Sequence, residues 1–380
     1  MHESRHVVLF AGGGTGGHLY PALALAEALT SVHPGVRPFF VGAQRGVEAR
    51  ILPERGAEHL LLPIRGLDRR AGIVGNLGVG AALVRSMARL ADEFQRLRPE
   101  LVVVTGGYAG APAGLMAALT RVPLALQEQN AHAGVTTRLL ARFADQIHVA
   151  FPEAADGLSA RARRVVEHTG NPVRPPSDDD RVRGRAAFAL SDTLPVVLVT
   201  GASQGSAALN AAVLELVAAR STEPPTVQFL WSTGPSHIDG VRASLAELGD
   251  PPWVRALGYI DDMPAALAVA DVAVGRAGAM TTSEFLAWGL PAIIVPLPTA
   301  AADHQTRNAA ALAAAGTSVH LPETELDGGR LGSELDALFE DDARRDAMTT
   351  AALVRARPDG ARDIARRLAT LLPGVRGGGS

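Results

Sequence analysis

Two stretches half a chain apart begin alike: Val7-Val8-Leu9-Phe10-Ala11-Gly12 and Val196-Val197-Leu198-Val199-Thr200-Gly201. Each is a short, unbroken apolar run that leads into a glycine-containing loop and then an alanine-rich segment of helical period. An apolar run without alternation suits a strand covered on both faces, and strands separated by helices build a parallel sheet. The repeat therefore predicts an α/β chain of two doubly wound domains, not one large sheet. At 380 residues the chain is long enough for both, since one hydrophobic core seldom serves more than about 250–300 residues.

The same pattern places strands at Val7 to Phe10, Pro38 to Val41, Leu101 to Thr105, Leu124 to Leu126 and Gln146 to Val149 in the first half. In the second it places them at Val196 to Thr200, Val227 to Trp231, Val272 to Val274 and Ala292 to Val295. Helices are expected over Tyr20 to Ser31 and Leu77 to Leu97, and from Ala207, Met263, Met280 and Gln305. Gly170-Asn171-Pro172-Val173-Arg174-Pro175-Pro176 can continue neither a helix nor a central strand. It reads as the linker, with Asp178-Asp179-Asp180 behind it as a solvated run. The expected division is 1–172 and 173–358, with a helix at 360–373 completing the first domain and 374–380 a flexible tail. Ligands are expected in a cleft between two facing sheets.

Composition removes several classes of function. The net charge of −3 is spread along the chain, so no global field favours nucleic acid. With no cysteine, a disulfide framework, a thiolate metal site and a cysteine nucleophile are excluded. His6 to Ala11 is too short for a signal segment, and no apolar run approaches the roughly 20 residues that span a bilayer, so a soluble or peripheral protein is expected.

Gly12-Gly13-Gly14-Thr15-Gly16-Gly17-His18 follows the first strand and opens a helix with Pro21 in its first turn, where a missing N–H costs nothing. Glycines permit positive φ and remove bulk, so several N–H groups can converge on anionic oxygens at the helix N-terminus. Gly12-x-Gly14-x-x-Gly17 also matches the dinucleotide fingerprint. After Phe39-Phe40-Val41, however, Gly42-Ala43-Gln44-Arg45 offers no carboxylate for a ribose hydroxyl, though Arg45 leaves an NADP 2′-phosphate open. A second loop, Gly201-Ala202-Ser203-Gln204-Gly205-Ser206, suits polar recognition or plain helix capping. In the third, Gly275 to Glu284, first-turn N–H groups can hold a diphosphate. Glu284 can accept from ribose hydroxyls or merely complement the helix dipole. Thr105-Gly106-Gly107-Tyr108 and Gln127-Glu128-Gln129-Asn130-Ala131-His132 end further strands at the same edge, where functional loops concentrate.

Taken in order, these motifs resemble the bacterial family that transfers N-acetylglucosamine (GlcNAc) from UDP-GlcNAc to undecaprenyl-pyrophosphoryl-muramyl-pentapeptide (lipid I), forming lipid II. The resemblance rests on Gly13 to His18 with Pro21, Gly106-Gly107-Tyr108, Glu128 to Ala131, Gly170 to Arg174 and Ser203-Gln204-Gly205. It continues through Asp261-Asp262-Met263, Gly278-Ala279 with Ser283-Glu284, and Asp303-His304-Gln305 with Asn308. It implies a GT-B fold whose C-terminal domain binds UDP-GlcNAc and whose N-terminal domain receives the lipid acceptor in peptidoglycan synthesis. Carried over by position, Ile260 faces the uracil, Glu284 the ribose, the backbone of Gly278, Ala279, Met280 and Thr281 the diphosphate, and Gln305 the sugar hydroxyls. Thr15, Gly16, Gly17, Asn130, Arg174 and Ser203 complete the donor side, with Gly14 and Tyr108 on the acceptor side. Three positions depart from the family: Ala202 replaces a glycine, a mild change; Gln127 replaces a common histidine; Thr306 replaces a glutamine seen in some members.

The implied reaction is inverting attack of the muramyl C4 hydroxyl on the donor C1, releasing UDP. His18, at a helix N-terminus, offers an imidazole as base or acceptor-orienting group, with simple capping as the plain alternative and Glu128 as the competing base. No Asp-x-Asp suits a bridging metal, so the expectation is no metal and no cofactor, with leaving-group charge falling on helix dipoles and Arg174. A lipid acceptor calls for an anionic membrane surface. Arg65, Arg69, Arg70, Ile73, Val74 and Leu77 are the expected contacts, at the cytoplasmic face of the plasma membrane, with cell-wall assembly proteins as further partners. In the helix that follows, Leu77, Ala81, Val84, Ala88 and Ala91 keep helical spacing and read as its inward face. A small-aglycone GT-B transferase, a UDP-GlcNAc 2-epimerase, an NADP oxidoreductase and a non-catalytic nucleotide-binding regulator are the alternatives, and acceptor dependence separates the first two from the expected reaction.

Overall fold

The computed structural model describes residues 6–66 and 72–373. The chain divides into two compact units, one built from residues up to Val173 and from Asp359 onward, the other from Arg174–Pro358.

The first unit contains β1 (His6–Gly12), β2 (Val36–Ala43), β3 (His59–Leu62), β4 (Leu101–Gly106), β5 (Leu124–Glu128), β6 (Gln146–Val149) and β7 (Val166–His168). The second contains β8 (Val196–Thr200), β9 (Gln228–Ser232), β10 (Val254–Leu257), β11 (Val272–Gly275), β12 (Ala292–Ile294) and β13 (Ser318–His320). Every pairing is parallel, in the orders β3-β2-β1-β4-β5-β6-β7 and β10-β9-β8-β11-β12-β13. The order reverses between β1 and β4 in one sheet and between β8 and β11 in the other, and loops beyond such switch points form binding crevices.

The unbroken apolar runs follow from burial on both faces. Val7, Leu9 and Ala11 pack on one side of the first sheet while Val8 and Phe10 pack on the other. Val197 and Val199 alternate in the same way with Val196 and Leu198. The helix Gly360–Ala369 lays Ile364, Ala365 and Leu368 against Leu19, Leu25 and Leu29 of the helix Gly16–Val32, in the same core layer. Full burial of Ile364, Leu368 and Leu372 contributes about 1.5–3 kcal/mol each.

Two sequence expectations are corrected. The aspartate run is not solvated throughout: Asp178–Phe188 is a helix in which Asp179 is exposed but Asp180 is wholly buried. Its Oδ2 accepts from Ser177 N at 3.0 Å, and Oδ1 accepts from Arg174 Nη2 at 3.1 Å and Arg183 Nη2 at 2.6 Å. Ser177-x-x-Asp180 is a capping-box arrangement that fixes the start of the helix. Of the expected inward stripe on the helix Gly72–Leu97, Ala91 packs on the core but Ala81, Val84 and Ala88 are exposed, and the helix turns inward Ala82, Ser86, Leu90, Phe94 and Leu97. Val84 stands 70% exposed beside exposed Arg85 and Arg89. Of the expected membrane contacts, Arg69 and Arg70 lie outside the described residues, as do the side chains of Ile73, Val74 and Leu77. No helix among the described residues is long and apolar enough to cross a membrane.

Candidate active site

In the first unit, β1, β4 and β5 are neighbours, so the loops leaving their ends converge. Gly12 pairs with Gly106 across the switch point, and a Cβ on Gly107, at φ +71°, would meet Gly13 O at 2.2 Å. Only glycine lets the two loops touch here. His18, in the first turn of Gly16–Val32, lies over this junction. Its Nδ1 is 3.0 Å from Thr105 O and 3.2 Å from Gln129 Oε1, while Thr105 Oγ1 donates to His18 O at 2.7 Å. Carbonyl oxygens only accept, so Nδ1 carries the hydrogen and Nε2 is the basic nitrogen.

Glu128, the competing base, is buried and its carboxylate is occupied. Oε2 accepts from Gly134 N at 2.8 Å and Thr137 Oγ1 at 2.6 Å, and Oε1 from Asn130 N at 3.1 Å and Nδ2 at 3.3 Å. With both oxygens saturated by donors, Glu128 suits a clamp that orients Asn130 better than a base. The Tyr108 ring packs on Gly14 and Gly66. Its hydroxyl is held above its ordinary pKa, first by burial and then by the charge of Glu48, so it stays a donor.

Glu48 was not foreseen. It is wholly buried in the first turn of Glu48–Glu54, where Oε1 accepts from Gly14 N at 2.9 Å and Ala43 N at 2.8 Å. A Cβ on Gly13 or Gly46 would lie 2.1 or 2.2 Å from its Oε1. The glycine-rich loop is therefore latched from behind by an anion that consumes the Gly14 donor, so fewer N–H groups remain for an anionic ligand than its glycine count implies. The sequence signal was available: a glutamate opening the helix after the second strand, with Gly42 and Gly46 just before it.

In the second unit, the loops leaving β8, β11 and β12 are tied together by Arg276, 6% exposed. It donates to Val295 O at 3.3 Å, Pro296 O at 3.2 Å and Ser206 Oγ at 2.7 Å, and pairs with Glu323. Gly278 caps the helix Ala279–Ala287, whose first-turn N–H groups at Met280 and Thr281 have no partner among the described residues. One turn on, the Glu284 carboxyl has no hydrogen bond or ion pair among the described residues, and burial pushes it up to about 7. Gln305 Oε1 accepts from Leu297 N at 2.9 Å, and Asn308 Nδ2 donates to Ala277 O at 3.0 Å, so the helix His304–Ala314 is pinned to the same loops.

Four residues of the expected set have surroundings that the sequence did not show. Ile260 is 2% exposed and packs within the sheet core. Ser206, not Ser203, caps the following helix, accepting from Leu209 N at 3.3 Å, while Ser203 is exposed. Ala202 adopts φ +64°, so its replacement of glycine is a strained change, not a mild one. Arg174 is 54% exposed and engaged with Asp180. Among the described residues, no three His, Asp or Glu side chains group as metal ligands.

The glycosyltransferase family 28 N-terminal domain matches residues 8–149, and the C-terminal domain of the same family matches residues 196–368. A relative from Salinibacter ruber, a UDP-N-acetylglucosamine--N-acetylmuramyl-(pentapeptide) pyrophosphoryl-undecaprenol N-acetylglucosamine transferase, is 42% identical over 365 residues, 96% of each chain. This chain belongs to that transferase family. The crystal structure of Acinetobacter baumannii MurG superposes with a TM-score of 0.77 at 25% identity, covering 96% of this chain and 99% of that one. The fold of this transferase is accordingly GT-B. A UDP-GlcNAc 2-epimerase from Neisseria meningitidis also superposes, with a TM-score of 0.66, over 96% of this chain and 99% of its own, but at 15% identity that likeness shows the fold alone.

Proposed function

We propose that this transferase moves GlcNAc from UDP-GlcNAc to the C4 hydroxyl of MurNAc in lipid I, giving lipid II with inversion at C1. The first unit takes the acceptor and the second the donor. One observation carries the assignment of roles: His18 is held with its hydrogen on Nδ1, which leaves Nε2 to take the acceptor proton as the C4 oxygen attacks. UDP departs as the C1–O bond breaks. Glu284, lacking donors of its own, receives the ribose hydroxyls. The Gly278 to Thr281 backbone receives the diphosphate, Gln305 the sugar through the amide nitrogen left over from Leu297, and Ile260 the uracil. Asn130, Arg174, Ser203 and the loop Gly14 to Gly17 with Tyr108 line the remainder.

The acceptor places the enzyme at the cytoplasmic face of the plasma membrane. Exposed Val84, followed by exposed Arg85 and Arg89, supports an apolar and basic contact with anionic lipid along the helix that begins beyond Arg65. The test is transfer of radiolabelled GlcNAc from UDP-GlcNAc to a short-chain lipid I analogue, with EDTA present. The wild type is expected to transfer, and His18→Ala to lose about 10²–10⁴-fold in kcat. UDP binding without transfer to the analogue would overturn the assignment and favour a 2-epimerase.

A further inference from the structure

Behind His18 lies a run of buried side-chain amides that no step of the reaction consumes. Gln129, Gln127 and Asn171 are each 1–2% exposed. Asn171 Nδ2 donates to Gln129 O at 3.2 Å, and Gln127 Nε2 donates to Asn171 Oδ1 at 2.8 Å. Gln129 Nε2 in turn donates to Gln127 Oε1, to Gln127 O at 3.2 Å and to Thr105 O at 2.6 Å. Its Oε1 is left facing His18 Nδ1.

The direction of this chain is forced. Asn171 Nδ2 faces a backbone carbonyl, which only accepts, so Oδ1 must face Gln127. Gln127 must then present its nitrogen to Asn171 and its oxygen to Gln129. A flipped Gln129 would set its own oxygen against three oxygens and offer His18 a second donor. An imidazole without such a constraint samples both tautomers, and the hydrogen bond made by one ring nitrogen decides which proton the other carries.

We propose that Gln129, its amide nitrogen fixed by the Thr105 and Gln127 carbonyls and backed by the Gln127 and Asn171 amides, is a positioning residue that acts with the Thr105 carbonyl to hold His18 as the Nδ1–H tautomer with Nε2 basic. This deepens the reading of His18 as the base and rests on it for its catalytic consequence. Gln127 stands where the family commonly carries histidine. An amide there cannot titrate, so the polarity of the chain does not depend on pH. Asn171 lies in the segment that leads out of the first unit, which gives that segment a chemical duty besides connection.

The full-length protein, labelled with ¹⁵N at histidine, tests this by long-range proton–nitrogen correlation spectra at pH 8, with the His18 signals assigned by their loss in His18→Gln. The wild type is expected to show a protonated-type Nδ1 and a pyridine-type Nε2. Gln129→Leu, which leaves only the Thr105 carbonyl opposite Nδ1, is expected to move both toward the average of the two tautomers and to lower kcat about tenfold or more, with KM for UDP-GlcNAc within about twofold. A protonated Nε2 in the wild type, or unchanged shifts and kcat in Gln129→Leu, would overturn the proposal. Should Gln129→Leu fail to fold, Gln129→Met keeps the length of the side chain without its acceptor and is expected to give the same displacement. The expected tautomer together with full transfer by His18→Gln would leave the positioning intact and refute the base.

Discussion

Glu284→Gln separates stability from function in a way that depends on pH. The carboxyl is raised from an ordinary 4.5 to about 7 by burial, with no cation or donor to offset it. At about 1.36 kcal/mol per pH unit, the ionised form lies about 3 kcal/mol higher in the folded chain, and partial exposure of the side chain reduces this to about 1–3 kcal/mol. Below pH 4.5 both folded and unfolded chains carry the proton and nothing is lost. Between 4.5 and 7 the folded chain keeps a proton that the unfolded chain has released, so stability falls as pH rises, and above 7 the whole loss is present. Glutamine removes it. The variant should therefore be more stable than the wild type by about 1–3 kcal/mol at pH 8 and equal to it within about 0.5 kcal/mol at pH 4.5.

All three tryptophans, Trp231, Trp253 and Trp288, lie in the second unit, so their fluorescence in urea follows that unit alone. The same substitution should abolish tight UDP binding. Wild-type binding near pH 7 should release a proton, because ribose hydroxyls that donate to the carboxylate favour its ionised form. A stability difference that is the same at both pH values, or UDP binding without proton release, would refute the reasoning.

Three further outcomes are expected. His148 is held down to about 4, chiefly by burial and then by Arg367, so its stabilising contribution is complete above pH 6.5 and lost as pH falls toward 4; His148→Gln should flatten that acid limb by up to about 3 kcal/mol, read from hydrogen exchange in β6. Ala202→Gly, by relieving φ +64°, should stabilise the second unit by about 0.5–1 kcal/mol without loss of transfer, and a destabilised variant would show that the loop does not hold this strain. Glu48→Gln places an amide N–H₂ against backbone donors and should cost about 1–3 kcal/mol in thermal unfolding, with a matching fall in transfer.

The inner strands were legible because burial on both faces leaves an unbroken apolar signature; β1, β4, β8 and β11 were read to within a residue or two. The edge strands β3, β7, β10 and β13 were missed. They run only three or four residues, and His59, Glu167, Arg255 and His320 interrupt any apolar pattern. Glycine-rich loops after strands were equally visible, since the turn requires the residue type. What stayed hidden were single charged residues that burial alone makes important. Glu48 and Arg276 look like ordinary surface residues until glycines close around one and three loop ends around the other. The inward face of Gly72–Leu97 was misjudged because alanines at helical spacing suit either side of a helix, and the larger Leu90, Phe94 and Leu97 decide it.

The helix Gly360–Ala369 belongs to the unit that is synthesised first. On the ribosome, Leu19, Leu25 and Leu29 must wait while the whole of Arg174–Pro358 is translated, on the order of ten to forty seconds at ~5–20 residues per second. During that interval the first unit lacks one wall of its core layer, and the second can close before the first is finished. Nascent chains halted just before Gly360 should present that apolar groove to chaperones, which makes the order of completion the reverse of the order of synthesis.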